Sequence, residues 1–159
     1  MPALKANEPA PDFHALDSNG VEVRLGDFTG KTIVLYFYPK DNTSGCTIEA
    51  QDFTALLGDF EKLNCVVIGI SPDSQKSHQN FIAKKSLKHI LLCDEDKQIA
   101  TSYGAYGEKI MYGKKVLGII RSTFIIDSNG NIAKTYYNIR AKDHAAKLLS
   151  DLQSLQTAN

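Results

Sequence analysis

The chain predicts an α/β sandwich, a central mixed sheet flanked by helices, with a β-hairpin added at its N-terminus. Three observations carry this expectation. Thr32 to Tyr38 and Cys65 to Ile70 are continuous apolar runs, the pattern of strands buried on both faces of a sheet. Each run is followed by a stretch with helical spacing, and that βαβα alternation favours parallel pairing with helices on both faces. Further on, Ser122 to Ile126 and Ile132 to Tyr137 flank Asp127-Ser128-Asn129-Gly130, a strong hairpin turn signal, so part of the sheet must be antiparallel.

The elements follow in order. Asp12 to Leu25 reads as a hairpin with Ser18-Asn19-Gly20 at its turn and Val21, Val23 and Leu25 alternating along the return strand, placed over one end of the sheet. Pro39 ends the strand Thr32 to Tyr38. Ile48, Phe53, Leu56, Leu57, Phe60 and Leu63 recur mostly three or four residues apart, which predicts the apolar face of one helix beginning near Ser44. After the strand at Cys65 come a turn at Ser71-Pro72-Asp73 and a helix from about Ser74 to Lys85. A short strand at His89 to Leu92 and a short helix near Lys97 to Tyr103 follow. Gly104 to Gly118 holds four glycines and no clear period, so an irregular loop is expected. It is no phosphate-binding fingerprint, because no strand feeds it and no Gly-Lys-Ser/Thr ending follows. Ala145, Leu148, Leu149, Leu152 and Leu155 put one stripe on a final helix. This order describes a thioredoxin-like sandwich, and a chain of 159 residues fits a single domain, residues 1–159, with a sizeable core.

Composition narrows the function. Eighteen basic and eighteen acidic residues cancel, and no basic stripe interleaved with aromatics appears. Nucleic acid and anionic membrane surfaces are therefore not expected partners, and a small neutral reactant suits the balance better. The segment MPALKANEPAPDF lacks the apolar centre of a signal peptide, and no stretch approaches the roughly 20 apolar residues of a membrane span, so a cytoplasmic location is expected. Three cysteines without metal-type pairing read as reduced intracellular thiols. His14, His78, His89 and His144 show no metal spacing and read as surface or structural residues, so neither metal nor cofactor is expected.

The chemistry centres on Cys46, placed where a buried strand gives way to a helix. In the first helical turn, unpaired amide hydrogens and the positive end of the helix dipole favour an anionic sulfur, so a thiolate is expected. Gly45 removes a side chain just before it and lets a small reactant approach the backbone. In Thr43-Ser44-Gly45-Cys46 a hydroxyl stands where a dithiol oxidoreductase would carry its second sulfur. Such a thiolate cannot cycle locally as a dithiol, but it can attack a polarised O–O bond while the hydroxyl, as donor, holds the peroxide oxygen, leaving a sulfenic acid. Ionisation alone is insufficient: moving a thiol pKa from about 8.5 to about 6 raises the thiolate fraction at pH 7 only ~30-fold and weakens the nucleophile. Donors aimed at the departing oxygen must supply the rest, and Arg121, at the edge of the strand Ser122 to Ile126, is the candidate. Tyr38 is expected to pack behind the site, while Lys40 and Asp41 solvate the loop and Lys40 adds weakly to the positive potential.

Pro39-x-x-x-Thr43-x-x-Cys46 resembles the active-site motif of the peroxiredoxins. Tyr36-Phe37-Tyr38-Pro39-Lys40-Asp41-Asn42-Thr43 with Gly45-Cys46-Thr47 is similar to the bacterioferritin comigratory protein, or peroxiredoxin Q, branch. The likeness extends through Met111 to Lys115 and Gly118 to Asp127, and the order of elements agrees from about residue 5 to residue 155. It implies a thiol peroxidase acting on hydrogen peroxide and organic hydroperoxides, with no cofactor and a tendency to be a monomer. Cys46 would be the attacking thiol, Thr43 and Arg121 would hold the peroxide and activate the sulfur, Pro39 would shield the site, and Glu49 would orient the arginine. Many members of the branch carry a resolving cysteine five residues after the attacking one, where this chain has Gln51, or in the following helix, where Gln79 to Ala83 has none. Cys65 opens a buried strand and reads as core packing. Cys93 ends a strand, and ligands collect at the ends of parallel strands, so it is the candidate resolving thiol. Two routes stay open: a Cys46–Cys93 disulfide after local unfolding, or an external thiol such as thioredoxin, glutaredoxin or glutathione. Two other readings use the same cysteine, a redox sensor that signals through its sulfenic acid and a cysteine hydrolase, which would need a histidine at the thiol.

Overall fold

The computed structural model describes residues 4–157. Its centre is a five-stranded sheet of β3 (Thr32–Phe37), β4 (Cys65–Ser71), β5 (Ile90–Cys93), β8 (Ser122–Ile126) and β9 (Ile132–Tyr136), in the order β5-β4-β3-β8-β9. β4 runs parallel to β3 and β5, whereas β8 is antiparallel to both β3 and β9, which is the mixed sheet expected. Register decides what gathers where. Phe37 faces Ile70 on one side and Ser122 on the other, and Ser71 faces Cys93. The ends of β3, β4 and β5 and the start of β8 thus share one edge of the sheet. Cys65, opposite Thr32, sits at the far edge.

Side chains alternate along β3 and divide the core into two layers. Ile33, Leu35 and Phe37 join Phe13, Ile68, Ile70, Phe124 and Tyr103 on one face. Val34, Tyr36 and Tyr38 join Phe53, Phe60, Phe81, Leu148 and Leu152 on the other. The second layer is roofed by α1 (Ser44–Ala55), α2 (Leu57–Lys62), α3 (Gln75–Lys85) and α5 (His144–Thr157). On the first face lie α4 (Gln98–Ser102) and the hairpin of β1 (His14–Leu16) and β2 (Glu22–Arg24). That hairpin forms its own two-stranded sheet and bridges β5 through Asp17 and Leu92, covering the edge strand. Among the described residues, no helix is long and apolar enough to cross a membrane.

Gly69 lies between Tyr36 and Leu91 in the sheet, and a Cβ there would stand 2.7 Å from Tyr36 Cζ and 2.9 Å from Leu91 Cδ2. Tyr36 cannot retreat: it stacks on Phe53 with ring centroids 4.6 Å apart, and its hydroxyl is hydrogen-bonded to His89 Nε2 at 2.7 Å. Gly69→Ala is therefore expected to overpack the core and lower stability by about 1–3 kcal/mol, read from the urea midpoint.

Two expectations are corrected. The helix predicted as one piece from Ser44 to Leu63 is two, because the backbone turns at Leu56 (φ −98°, ψ 5°) before α2 begins. Apolar spacing runs straight across that join and carries no sign of it. Ile48, assigned to the apolar face, is 46% exposed, and α1 instead buries Cys46, Glu49, Ala50 and Phe53. Gly104 to Gly118 is not an irregular loop but contains a second two-stranded sheet, β6 (Tyr106–Met111) and β7 (Lys114–Ile119). Its turn places Tyr112 (φ 52°) and Gly113 (φ 78°) in the left-handed region, as a two-residue hairpin requires. The period is illegible because the hairpin stands in solvent: Ile110 is 73% and Leu117 66% exposed, so no buried face imposes alternation.

Candidate active site

β3 delivers the chain to the shared edge of the sheet, where the amide of Tyr38 still donates to Ile70 O at 3.0 Å. Pro39, partly buried, ends the strand, and Asn42 takes a left-handed conformation (φ 62°) that turns the loop into α1. Thr43 is the residue before the helix, yet its side chain does not cap it. Thr43 Oγ1 donates instead to Lys40 O at 2.8 Å. Two consequences follow. The amide hydrogens of the first turn keep no side-chain partner and face the sulfur's end of the helix. The Thr43 hydroxyl, expected as a donor toward a reactant, has its hydrogen engaged and presents lone pairs.

Cys46 lies in that first turn and is buried. Arg121, between β7 and β8, reaches it across the sheet edge: Nη2 is 3.1 Å from Cys46 Sγ, and Nη1 donates to Glu49 Oε1 at 2.5 Å. One planar guanidinium thus spans two residues of α1 that lie three apart on the same helical face. Gly45 makes room for it, since a Cβ there would stand 3.3 Å from Arg121 Nη2. Burial opposes the charge on Arg121, but Glu49 and Cys46 outweigh it and hold the guanidinium protonated. Glu49 is fully buried, not a solvated acid; burial pushes its carboxyl up to about 7 while Arg121 pulls it back. Its second oxygen, Oε2, has no hydrogen-bond partner among the described residues.

The other candidates scatter. Cys65 is buried at the far edge of the sheet, and desolvation pushes its thiol up to about 12. Cys93 is partly exposed at the end of β5, on the same edge as Cys46 but two strands from β3. Burial and the charges of Glu95, Asp41, Asp17 and Asp73 push its thiol up to about 11. All three cysteines are free thiols. A cleft of about 800 Å³ opens beside Cys93 among Asp12, Asp94, Glu95 and Asp96, away from Cys46. A molecule as small as a peroxide needs no such volume. His89 and His144 are buried and held neutral near 4, mainly by desolvation; His14 is exposed at the surface. Among the described residues no histidine is hydrogen-bonded to Cys46, so the base that a cysteine hydrolase needs is not at the sulfur.

Lys40 is exposed as expected, and Tyr38 packs behind the site in the buried layer. Asp41 does not solvate the loop. It is 4% exposed and accepts from Tyr38 Oη at 2.6 Å. Asp41, Asp73 and His78 bring three metal-ligand-type atoms within 4.8 Å of one another, but these atoms are spent on hydrogen bonds among themselves and with Tyr38, Ser71 and Ser77. Lys109 was not legible in the sequence. It folds back across β7, in the space left by Gly118, and donates from Nζ to Ile119 O at 2.6 Å, two residues before Arg121.

The AhpC/TSA family model matches residues 6–135 of this chain. The bcp protein of Helicobacter pylori (strain J99) is 57% identical over 152 residues, covering 96% of this chain and 100% of the relative. Peroxiredoxin Bcp of Bacillus subtilis is 41% identical over 152 residues, covering 96% and 97%. The chain belongs to the peroxiredoxins of the AhpC/TSA family. A solved bacterioferritin comigratory protein of Xanthomonas campestris, described for its alkyl peroxide reduction, superposes on this peroxiredoxin with a TM-score of 0.87. The two share 38% identity over 94% of this chain and 98% of the other. As a peroxiredoxin, the protein is a thiol-dependent peroxidase, and the predicted thioredoxin-like fold is the one it has.

Proposed function

We propose that residues 1–159 act as one domain that reduces hydrogen peroxide and small organic hydroperoxides at Cys46. The observation that carries this reading is the Arg121 fork, one guanidinium bonded to both Glu49 and Cys46. The cation is fixed against the sulfur and is placed to meet the charge that develops on the departing oxygen as the O–O bond breaks. The thiolate attacks the terminal peroxide oxygen, an S–O bond forms, the O–O bond breaks, and the departing oxygen takes a proton from water. Cys46 is left as a sulfenic acid, and water or an alcohol departs. Thr43 Oγ1, its own hydrogen given to Lys40 O, accepts the hydrogen of the peroxide hydroxyl. Pro39 covers the sulfur's outer side, and Glu49 fixes the plane of the guanidinium. All five residues come from one chain, which agrees with a working monomer, and free thiols suit a reducing cytoplasm.

Recycling by an external thiol, whether thioredoxin, glutaredoxin or glutathione, is favoured over Cys93. Its surroundings hold Cys93 as a neutral thiol, and a neutral thiol attacks a sulfenic acid slowly. With a thiol reductant present, peroxide consumption is expected to run far beyond one equivalent per chain, and Cys93→Ser is expected to change the rate less than about twofold. A halt at one equivalent supports the redox sensor instead. Mass spectrometry after one peroxide equivalent is expected to find a sulfenic adduct at Cys46; a loss of two hydrogens joining Cys46 to Cys93 establishes the internal disulfide.

A further inference from the structure

Asp41 sits inside the loop that carries Thr43 and leads to Cys46, yet three other parts of the fold hold it. Tyr38 Oη, at the end of β3, donates to Oδ1 at 2.6 Å, and Ser77 Oγ of α3 donates to Oδ2 at 2.8 Å. His78 Nδ1 lies 2.8 Å from the same Oδ2, and the Asp41 amide donates to Asp73 Oδ2 at 2.8 Å. The other nitrogen of His78, Nε2, lies 2.9 Å from Leu92 O, next to Cys93 on β5. A carboxylate and a carbonyl are both acceptors, so both ring nitrogens must carry hydrogen. Making both bonds at once requires the imidazolium form of this ring, which is 0% exposed between a loop and a strand.

We propose that His78 is a positioning residue of the peroxidase reaction, whose two-sided hydrogen bonding fastens the active-site loop through Asp41 to the end of β5 and sets Thr43 and Cys46 for attack. The proposal rests on the peroxidase reading above. Only the charged ring can serve both acceptors; a neutral imidazole has one hydrogen, and either the loop or the strand loses its bond. The titratable groups around the ring are Tyr38 from β3, Asp41 from the loop, Asp73 from the turn before α3 and Cys93 beyond Leu92 on β5. Burial works against the charge, but the hydrogen bond and charge of Asp41, the Leu92 carbonyl and Asp73 raise the ring above its ordinary value. The sign follows: the contact is fully made below about pH 6.5 and is lost as pH rises through the raised value. The loop is therefore fastened at low pH and released as the pH rises through that value.

The test is the single-turnover oxidation of Cys46 by hydrogen peroxide from pH 6 to 9.5, followed by trapping the sulfenic acid, in wild type and His78→Gln. Nitrogen NMR of labelled histidine in the wild type reports the ring's charge over the same range. A charged His78 ring at pH 7 is expected, with an alkaline loss of rate that follows its titration. In His78→Gln the rate at pH 7 is expected to fall about tenfold, as misplacement of a reacting group does, and the alkaline loss to vanish. If His78→Gln does not fold, Asp41→Asn carries the kinetic arm. A neutral ring at pH 7, or a variant with the wild-type rate and profile, overturns the proposal alone. A wild type not oxidised at Cys46 overturns the peroxidase reading as well.

Discussion

Cys46→Ser is expected to abolish peroxide turnover, leaving less than about 10⁻⁴ of the wild-type rate, because a serine hydroxyl does not ionise near neutral pH and its oxygen is a poor nucleophile toward peroxide. The substitution is a gentle one structurally. Serine is slightly smaller than cysteine at a buried position, and it keeps an acceptor for Arg121 Nη2. The Nη1 bond to Glu49 does not involve residue 46 at all, so the ion pair that fixes the guanidinium survives. Thermal midpoint and circular dichroism should therefore match the wild type while the peroxide assay with a thiol reductant reads zero. Retained turnover in this variant, with loss in Cys65→Ser or Cys93→Ser, would move the chemistry to another sulfur. That outcome conflicts with the surroundings of both: Cys65 is sealed at the far sheet edge with its thiol near 12, and Cys93 is ringed by carboxylates.

Cys46 was legible because its signal is local: a buried strand, a proline and a helical stripe fall within some twenty residues of it. The sheet was legible for the same reason, since β3 and β4 are continuous apolar runs and β8 and β9 flank a strong turn. What depends on contacts between distant segments was not legible from the residues alone. Arg121 is 75 positions from Cys46; its place at the start of a core strand made it a candidate donor, and the family resemblance supplied its role at the sulfur. Asp41 shows the limit most clearly. Between Lys40 and Asn42, in a polar loop, an aspartate reads as solvated, but the partners that bury it, Asp73, Ser77 and His78, lie 32 to 37 residues away on α3 and the turn before it. Lys109 failed to register for a third reason. Its hairpin is solvent-facing, and the lysine becomes part of the sheet edge only by bending over Gly118.

Arg121→Ala is expected to lower the second-order rate of Cys46 oxidation by about 10²–10³, the loss seen when one preorganised donor to a developing negative charge is removed, equal to about 2.7–4 kcal/mol. Arg121→Lys should restore little of it. The work is done by a planar fork whose two nitrogens reach different residues, and an ammonium is a point charge that can satisfy Glu49 or Cys46 but not both. Stability supplies an independent readout. Glu49 is 0% exposed, and its carboxyl already stands near 7 with the guanidinium attached. Without Arg121 nothing offsets burial, so the folded carboxyl rises further above its unfolded value of about 4.3. A raised acid binds its proton more tightly in the folded state, so stability is greatest below the unfolded pKa and falls as pH rises through the folded one. Arg121→Ala should accordingly be weaker at pH 8 than at pH 6, by up to about 2.7 kcal/mol, the limit for one proton over two pH units. Adding Glu49→Gln removes the titrating group, so the double variant should regain stability at pH 8 and lose the slope. It should not regain the rate, because the donor at Cys46 Sγ is still missing. If the double variant does recover wild-type oxidation, Arg121 serves the fold and not the sulfur, and the activation of Cys46 must come from the amides of the α1 first turn alone.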